Sequence, residues 1–275
     1  ATKRGGNVYL DKGTMRDCTV YGGVSDNVGG NVYQYAGKIE NCEIYNGTAV
    51  NDGGNVRMNG GGTIADSDIW DGEVTTREKK GANVYMDSSS KMSRCHLRGG
   101  ANPNYNAGSL CVHSTSASVE DTLVEGSSCG GVLLEAPSYL YNMTIVNNQK
   151  YGVWSWLHTQ HLYNCIIFGN TGDDGTTRKE WFGNSPDASD AHFLNCATSE
   201  DSMLQTAYPT LVYVAEGDFV DYANGNYQPG KGSGLVDAGG SDPRGAEASA
   251  TDLAGRPRIS GTIDIGCYEY QKQEM

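Results

Sequence analysis

Two series of residues early in the chain combine side chains that can cleave or hold a sugar. Glu43, Asp68 and His96 follow one another at similar intervals, and a second series stands two positions after them. This second series is Tyr45, Trp70 and Arg98. Two carboxylates about 5 Å apart can share a proton or act as acid and nucleophile. Aromatic rings present a flat apolar face to a sugar, while nearby carboxylates and Arg take its hydroxyls.

The spacing of both series comes from an internal repeat. Gly-Gly-Asn-Val and one Gly-Ala-Asn-Val variant recur, at 5–8, 29–32, 53–56 and 81–84. Residues 5–28 and 29–52 agree at ten of 24 positions, which gives a period of 24. A fixed period of about 20 to 50 residues indicates a stacked-repeat architecture, in which no single unit buries its own apolar face.

A second pattern, apolar-x-x-small-x-apolar, runs in eight copies from 15–20 to 193–198. Strand side chains alternate, so each unit is predicted to form two short strands with Val, Ile and Cys pointing inward. Coils stacked about 4.8 Å apart predict an all-β fold, a right-handed parallel β-helix over residues 1–198. Residues 199–275, where the regular pattern ends, are predicted to form an irregular cap on the same solenoid.

A leucine-rich horseshoe is the main rival, because its strands share this pattern. It needs a helical or leucine-bearing return segment, yet Leu10 is the only leucine between residues 5 and 80. The segments that link the strands are Gly-Asn-Val-Tyr rather than helix formers. A left-handed hexapeptide helix would repeat in multiples of six, which this chain does not do. The right-handed parallel β-helix is therefore favoured.

Composition excludes several classes of function. The formal charge of −13 is a poor match for nucleic acid or for an anionic membrane surface. No run of residues approaches the roughly 18 apolar residues of a membrane span. Residues 1–4 lead directly into a repeat without a signal peptide, so we expect the sequence to be part of a larger multidomain chain.

The end of the sequence resembles a known family. The segments that carry the resemblance are Gly217-Asp-Phe-Val-Asp-Tyr-Ala-Asn-Gly-Asn-Tyr-Gln-Pro-Gly230, Gly232-Ser-Gly-Leu-Val-Asp-Ala-Gly239, Asp252-Leu-Ala-Gly-Arg-Pro-Arg258 and Asp264-Ile-Gly-Cys-Tyr-Glu269. They are similar to the closing region of secreted bacterial pectin-lyase-like proteins with a choice-of-anchor C-terminal region. Gly234 stands where that family usually has proline. The resemblance implies a secreted or cell-surface protein and names no activity.

The function predicted from these features is a non-catalytic module that binds a polysaccharide or oligosaccharide. Its predicted binding residues are Tyr21, Tyr33, Tyr45, Arg57, Trp70 and Tyr85. One alternative is a polysaccharide lyase or glycoside hydrolase with Glu43, Asp68, His96 and Arg98 as candidate catalytic residues. Another is a structural stalk or adhesin, for which these side chains are only a solvated sheet face of good strand formers.

Other residues give weaker signals. Asp173 and Asp174 are oxygen donors that would suit Ca²⁺, the one cofactor left open, although a plain acidic turn is the simpler interpretation. His158 and His161 have a spacing that could chelate a metal. A cysteine column (Cys18, Cys42, Cys95, Cys165 and Cys196) is predicted to point inward as free thiols, with Cys18–Cys42 and Cys111–Cys129 disulfides as the alternative.

Overall fold

The computed structural model describes residues 2–103, 106–156, 160–183, 192–199, 208, 211–241, 249–259 and 261–271. Within these residues the chain winds as a parallel β-solenoid with three long sheets, a short fourth sheet and a C-terminal cap. Each coil contributes one short strand to each long sheet, and successive coils pair in parallel. The predicted all-β parallel β-helix is confirmed.

The first sheet contains the strands that begin with the Val of Gly-Gly-Asn-Val or Gly-Ala-Asn-Val and the equivalent strands of the later coils. In the described part of the chain it has eight strands: β2 (Val8–Leu10), β6 (Val32–Gln34), β10 (Val56–Met58), β14 (Val84–Met86), β17 (Leu110–Val112), β20 (Val132–Leu134), β23 (Val153–Ser155) and β26 (Trp181–Gly183). The short fourth sheet adds β1 (Thr2–Arg4), β5 (Val24–Val28), β9 (Thr48–Ala49) and β13 (Glu73–Val74).

The second and third sheets come from the two halves of the apolar-x-x-small-x-apolar pattern. The second sheet comprises β3 (Thr14–Arg16), β7 (Lys38–Glu40), β11 (Thr63–Ala65), β15 (Lys91–Ser93), β18 (Ser118–Glu120), β21 (Tyr139–Tyr141), β24 (His161–Tyr163) and β27 (His192–Leu194). The third comprises β4 (Thr19–Tyr21), β8 (Glu43–Tyr45), β12 (Asp68–Trp70), β16 (His96–Arg98), β19 (Leu123–Glu125), β22 (Thr144–Val146), β25 (Ile166–Phe168), β28 (Ala197–Thr198) and β29 (Val212–Tyr213).

One residue with a positive φ makes the corner between the second and third sheets. The corner residues are Asp17, Asn41, Asp66, Arg94, Asp121, Asn142, Asn164 and Asn195, with φ between 46° and 53°. Asp and Asn tolerate this left-handed region because their short side chains can hydrogen-bond locally. Arg94 is the exception, and its guanidinium forms two bonds to Asp66, at 2.6 and 2.9 Å. The corner splits the pattern into two strands, so a coil contributes three strands to the long sheets where the sequence predicted two.

A buried ladder of asparagine side chains explains the Asn of Gly-Gly-Asn-Val. Asn31 Nδ2 donates to Asn55 Oδ1 at 2.8 Å, and Asn55 Nδ2 donates to Asn83 Oδ1 at 2.9 Å. Asn55 Nδ2 also donates to the carbonyl of Trp70 at 2.7 Å, and its Oδ1 accepts from the N–H of Gly47 at 2.8 Å. The ladder thus ties the first sheet to the corner that follows the third sheet, and it satisfies the N–H of Gly47, which lies outside the strands.

The glycines of the motif are required by close backbone approach. A Cβ atom at Gly30 would lie 2.0 Å from the carbonyl oxygen of Gly54 in the next coil. Real Cβ atoms do not come that close to an oxygen, so only glycine fits.

The core is a continuous column of side chains from all three long sheets. Ile44, Ile69 and Leu97 of the third sheet are fully buried. Cys42, Cys95, Cys165 and Cys196 are buried in the same column, whereas Cys18 is partly exposed. All eight cysteines lie in described residues and are free thiols, so neither alternative disulfide is present. Burial raises the pKa of Cys95 to about 12, which is characteristic of an inert packing residue.

The C-terminal cap covers the outer face of the third sheet from β19 onward. It contains two 3-10 helices (Glu216–Asp218 and Tyr222–Asn224) and an antiparallel pair, β30 (Phe219–Asp221) and β31 (Asn226–Pro229). Its apolar side chains pack on the outward residues of the sheet in one cluster: Leu123, Val146, Ile166, Phe168, Ala197, Val214, Phe219, Tyr227, Leu235, Ile265 and Cys267. No helix among the described residues is long and apolar enough to span a membrane.

Candidate functional site

The outer face of the third sheet carries the predicted aromatic and acidic residues on strands that the described residues of the cap leave uncovered. Register places Tyr21, Tyr45, Trp70 and Arg98 in one row, which we call the aromatic strip. Ring centroids of Tyr21 and Tyr45 are 5.1 Å apart, and those of Tyr45 and Trp70 are 4.3 Å apart. Arg98 Cζ lies 4.7 Å from the centroid of Trp70. The predicted juxtaposition of these residues is therefore present.

The rings of the aromatic strip stack on one another, with interplanar angles of 7° and 10°. Because each ring covers its neighbour's face, Tyr45 and Trp70 present mainly their edges and polar atoms to solvent. Tyr21, at the start of the row, is 61% exposed. The strip is suited to hydrogen bonding along its length, through phenol and indole groups, and to stacking at Tyr21.

Glu43, Asp68 and His96 form a second row beside the strip, also in direct register. Adjacent rungs of a parallel sheet are about 4.8 Å apart, so the two carboxylates belong to neighbouring rungs. Glu43 is exposed, whereas Asp68 and His96 are half-buried. Together the two rows make a surface with acceptors, donors and ring edges repeated once per coil.

His96 is held by a partner that the sequence analysis did not select. His96 Nε2 lies 2.6 Å from Glu125 Oε1, and the hydroxyl of Tyr227 in the cap donates to Glu125 Oε2 at 2.8 Å. Burial alone would raise the pKa of Glu125, but the hydrogen bond and charge of His96, with the Tyr227 bond, outweigh burial and lower it. Glu125 follows Arg98 in the same row of the repeat, so its place was visible in the sequence. The contact with Tyr227, which lies 102 residues further along the chain, could not be predicted from the repeat.

The predicted binding residues of the first sheet lie differently from expectation. Tyr33 and Tyr85 are only 3% and 5% exposed, although they point away from the core. Tyr33 stacks on Tyr9, with centroids 5.4 Å apart. Arg57 Cζ lies 3.8 Å from the ring centroid of Tyr85, and Arg57 Nη2 lies 3.2 Å from Asp87 Oδ2. The expectation of exposed rings on this face is wrong for these two tyrosines, because charged side chains and neighbouring rings cover them.

The residues of the two weak metal predictions, Asp173 with Asp174 and His158 with His161, lie in different surroundings. Asp174 accepts hydrogen bonds from the backbone N–H groups of Thr176 and Thr177 at 2.9 and 2.8 Å and from the Thr177 hydroxyl, and these bonds lower its pKa to about 2. Asp173 Oδ1 lies 3.9 Å from Lys150 Nζ. Among the described residues there is no group of three or more potential metal ligands. His158 lies outside the described residues, and its predicted partner His161 stacks on Tyr139 at 4.6 Å.

Two adjoining clefts near the last coils were not predicted. The tryptophan cleft, of about 410 Å³, is lined by Trp154, Ser155, Trp156, Phe182 and Gly183. The polar cleft, of about 520 Å³, shares Phe182 and Gly183 and adds the loop that contains Asp173 and Asp174, followed by Arg178 and Lys179. Trp154 and Phe182 occupy the row of Tyr9, Tyr33, Arg57 and Tyr85, so extending that row would have found them.

Comparison with known proteins identifies the architecture. A family model described as "Right handed beta helix region" matches residues 4–171, more than half of the chain. No curated protein and no solved structure matches the sequence.

Proposed function

Since the chain belongs to the family of right-handed β-helix regions, we propose that it is a polysaccharide-binding module without catalytic activity of its own. A glycan chain would lie along the aromatic strip and the row of Glu43, Asp68 and His96. We also propose that the protein is secreted or held at the cell surface. The resemblance of residues 217–270 to secreted pectin-lyase-like proteins supports this.

The observation that carries the proposal is the regularity of this surface. Four strands beyond the reach of the described cap residues present a ring or a guanidinium on each rung, at a spacing of about 4.8 Å. An extended polysaccharide is also a regular polymer, so successive sugars can meet equivalent groups on successive coils. Hydroxyls would bond to Glu43, Asp68 and the Tyr45 phenol, and the exposed Tyr21 ring would stack on a sugar face.

Affinity electrophoresis tests the proposal, with xylan, cellulose derivatives, chitosan, alginate and polygalacturonate in the gels. We expect at least one of these to retard the protein. Trp70→Ala and Tyr45→Ala should weaken that retardation about tenfold, the loss of roughly 1.4 kcal/mol. Tyr9→Ala is the matched control, because Tyr9 is an exposed ring stacked in the same manner on a different sheet. Equal effects of Tyr9→Ala and Trp70→Ala would refute a binding role for the strip.

The pair of His96 and Glu125 supports a second candidate, a polysaccharide lyase or glycoside hydrolase. A carboxylate 2.6 Å from an imidazole fixes the orientation of the ring, as in acid–base catalysis. Asp68, one rung from His96, would be the second acid–base group. New reducing ends, or new ultraviolet absorbance from unsaturated sugars, would identify the enzyme, and His96→Gln and Asp68→Asn should abolish either product.

The same gels and product analyses separate the third candidate. A stalk or adhesin predicts neither retardation nor new chain ends with any glycan. Repeating the gels with Ca²⁺ and with a chelator tests the one cofactor left open, since retardation lost only in chelator would assign Ca²⁺ to the complex.

A further inference from the structure

The tryptophan cleft and the polar cleft differ physically from the aromatic strip. Trp154 and Phe182 have centroids 5.0 Å apart with planes at 50°, and Trp154 and Trp156 are 5.7 Å apart at 52°. These rings are tilted rather than stacked face to face, and so they form the wall of a concave surface. All four tryptophans lie in described residues, and Trp156 is the most exposed of them, at 42%.

Lysine side chains border the rings on both sides of the tryptophan cleft. Lys179 Nζ lies 3.9 Å from the centroid of Phe182, and Lys80 Nζ lies 4.5 Å from that of Trp156. Lys80 also pairs with Glu135 at 2.5 Å, and the Glu135 side chain is only 6% exposed. The ion pair holds Lys80 beside Trp156, and both ammonium groups lie where they can donate hydrogen bonds to a ligand that lies against a ring.

Charged side chains of both signs line the polar cleft in the described part of the chain. Two carboxylates, Asp173 and Asp174, stand against two cations, Arg178 and Lys179. On the border of the tryptophan cleft, the carboxylate of Glu135 forms an ion pair with the ammonium group of Lys80. A site that offers both acceptors and donors suits the many hydroxyls of an uncharged sugar.

We propose that the two clefts together form a second site, which binds a short neutral oligosaccharide. One pyranose ring lies against Trp156 in the tryptophan cleft, and the adjoining sugar extends past Phe182 into the polar cleft. The volumes of about 410 and 520 Å³ fall within the roughly 300–1,000 Å³ of small-molecule sites. This site lies on the first sheet and the loop before β26, so it does not depend on the aromatic strip of the third sheet.

Tryptophan fluorescence measures this binding directly. The experiment uses Trp70→Phe protein, which removes the reporter on the strip, and titrates cellobiose, lactose and maltose up to about 10 mM. We expect at least one disaccharide to shift or quench the emission with saturation. In the same background Trp156→Ala should weaken binding at least tenfold, and Lys179→Met should weaken it severalfold. Trp156 is exposed, so its variant should keep the unfolding midpoint of the parent protein.

Three results would overturn the proposal. They are no response to any of the disaccharides, an unchanged affinity in Trp156→Ala, and tighter binding of glucuronate than of every neutral disaccharide. The third result would mean that the lysines select an acidic ligand. The strip is tested separately, by Trp70→Ala and polysaccharide gels, so a negative result at one site leaves the proposal for the other site standing.

Discussion

Replacing Asn55 with alanine should destabilise the solenoid more than a typical single substitution. The Asn55 side chain makes four hydrogen bonds, to Trp70, Asn83, Gly47 and Asn31, at 2.7 to 2.9 Å. Asn55 itself is fully buried, so water cannot replace these bonds without opening the coil. The substitution also leaves the Gly47 N–H and the Trp70 carbonyl without their side-chain partner.

The expected loss follows from the count of bonds. A hydrogen bond in a folded protein contributes a net of about 1 kcal/mol, and each buried group left unsatisfied costs about 1–3 kcal/mol. Four lost bonds, with the Gly47 N–H left unpaired, therefore predict a loss of about 4 kcal/mol in the free energy of unfolding. Since the Trp70 carbonyl loses one of its two hydrogen bonds and keeps only the one from the Asn46 N–H, the strand that carries Trp70 should also become more mobile.

Urea unfolding followed by circular dichroism measures this loss. The matched control is Asn7→Ala, at the exposed beginning of the same ladder, where the side chain donates two bonds, to Tyr21 and Asn31. Asn7→Ala should cost about 1 kcal/mol. A cost below about 1 kcal/mol for Asn55→Ala, or an equal cost for the two variants, would refute the assignment of the ladder as a main source of stability.

Three further outcomes are expected. Gly30→Ala should cost at least about 3 kcal/mol because its Cβ meets a carbonyl, whereas Gly217→Ala, with nothing within 4 Å, should stay within about 0.5 kcal/mol in the same urea assay. Iodoacetamide followed by mass spectrometry should label the partly exposed Cys18 well before Cys95, whose pKa is about 12, and equal rates would contradict its burial. The lowered pKa of Glu125 means that its stabilising contribution is present above the ordinary carboxyl pKa of 4.5 and is lost as the pH falls below it. Glu125→Gln should therefore be less stable than the parent protein near pH 7 and should lose less stability on acidification. Thermal unfolding at each pH measures both effects.

Much of the fold could be predicted because each signal is local and repeated. The alternation around Ile44 and Ile69 puts them inward whatever the neighbouring coils contain, and stacking then aligns Glu43 with Asp68 and Tyr45 with Trp70. The third strand of each coil was missed because Asp17 and its equivalents look like ordinary polar residues until their left-handed conformation is known.

The site residues depended on contacts that no repeat encodes. Tyr33 and Tyr85 have the same sequence context as the exposed Tyr9, yet their neighbours Arg57 and Tyr9 cover them. The tryptophan cleft needs Trp154 and Phe182 from successive coils to meet at an angle, and angles between side chains cannot be derived from spacing.

The sequence by itself determined the coil, the inward columns and the row in which each outward residue stands, because a strand's alternation and a repeat's period are properties of the chain. Only the tertiary structure decided which outward rows remain accessible. The cap closes the third sheet from Leu123 onward and brings Tyr227 to Glu125, a contact across 102 positions. Burial depends on what packs over a surface, and that is set by the path of the whole chain rather than by the residues of any one coil.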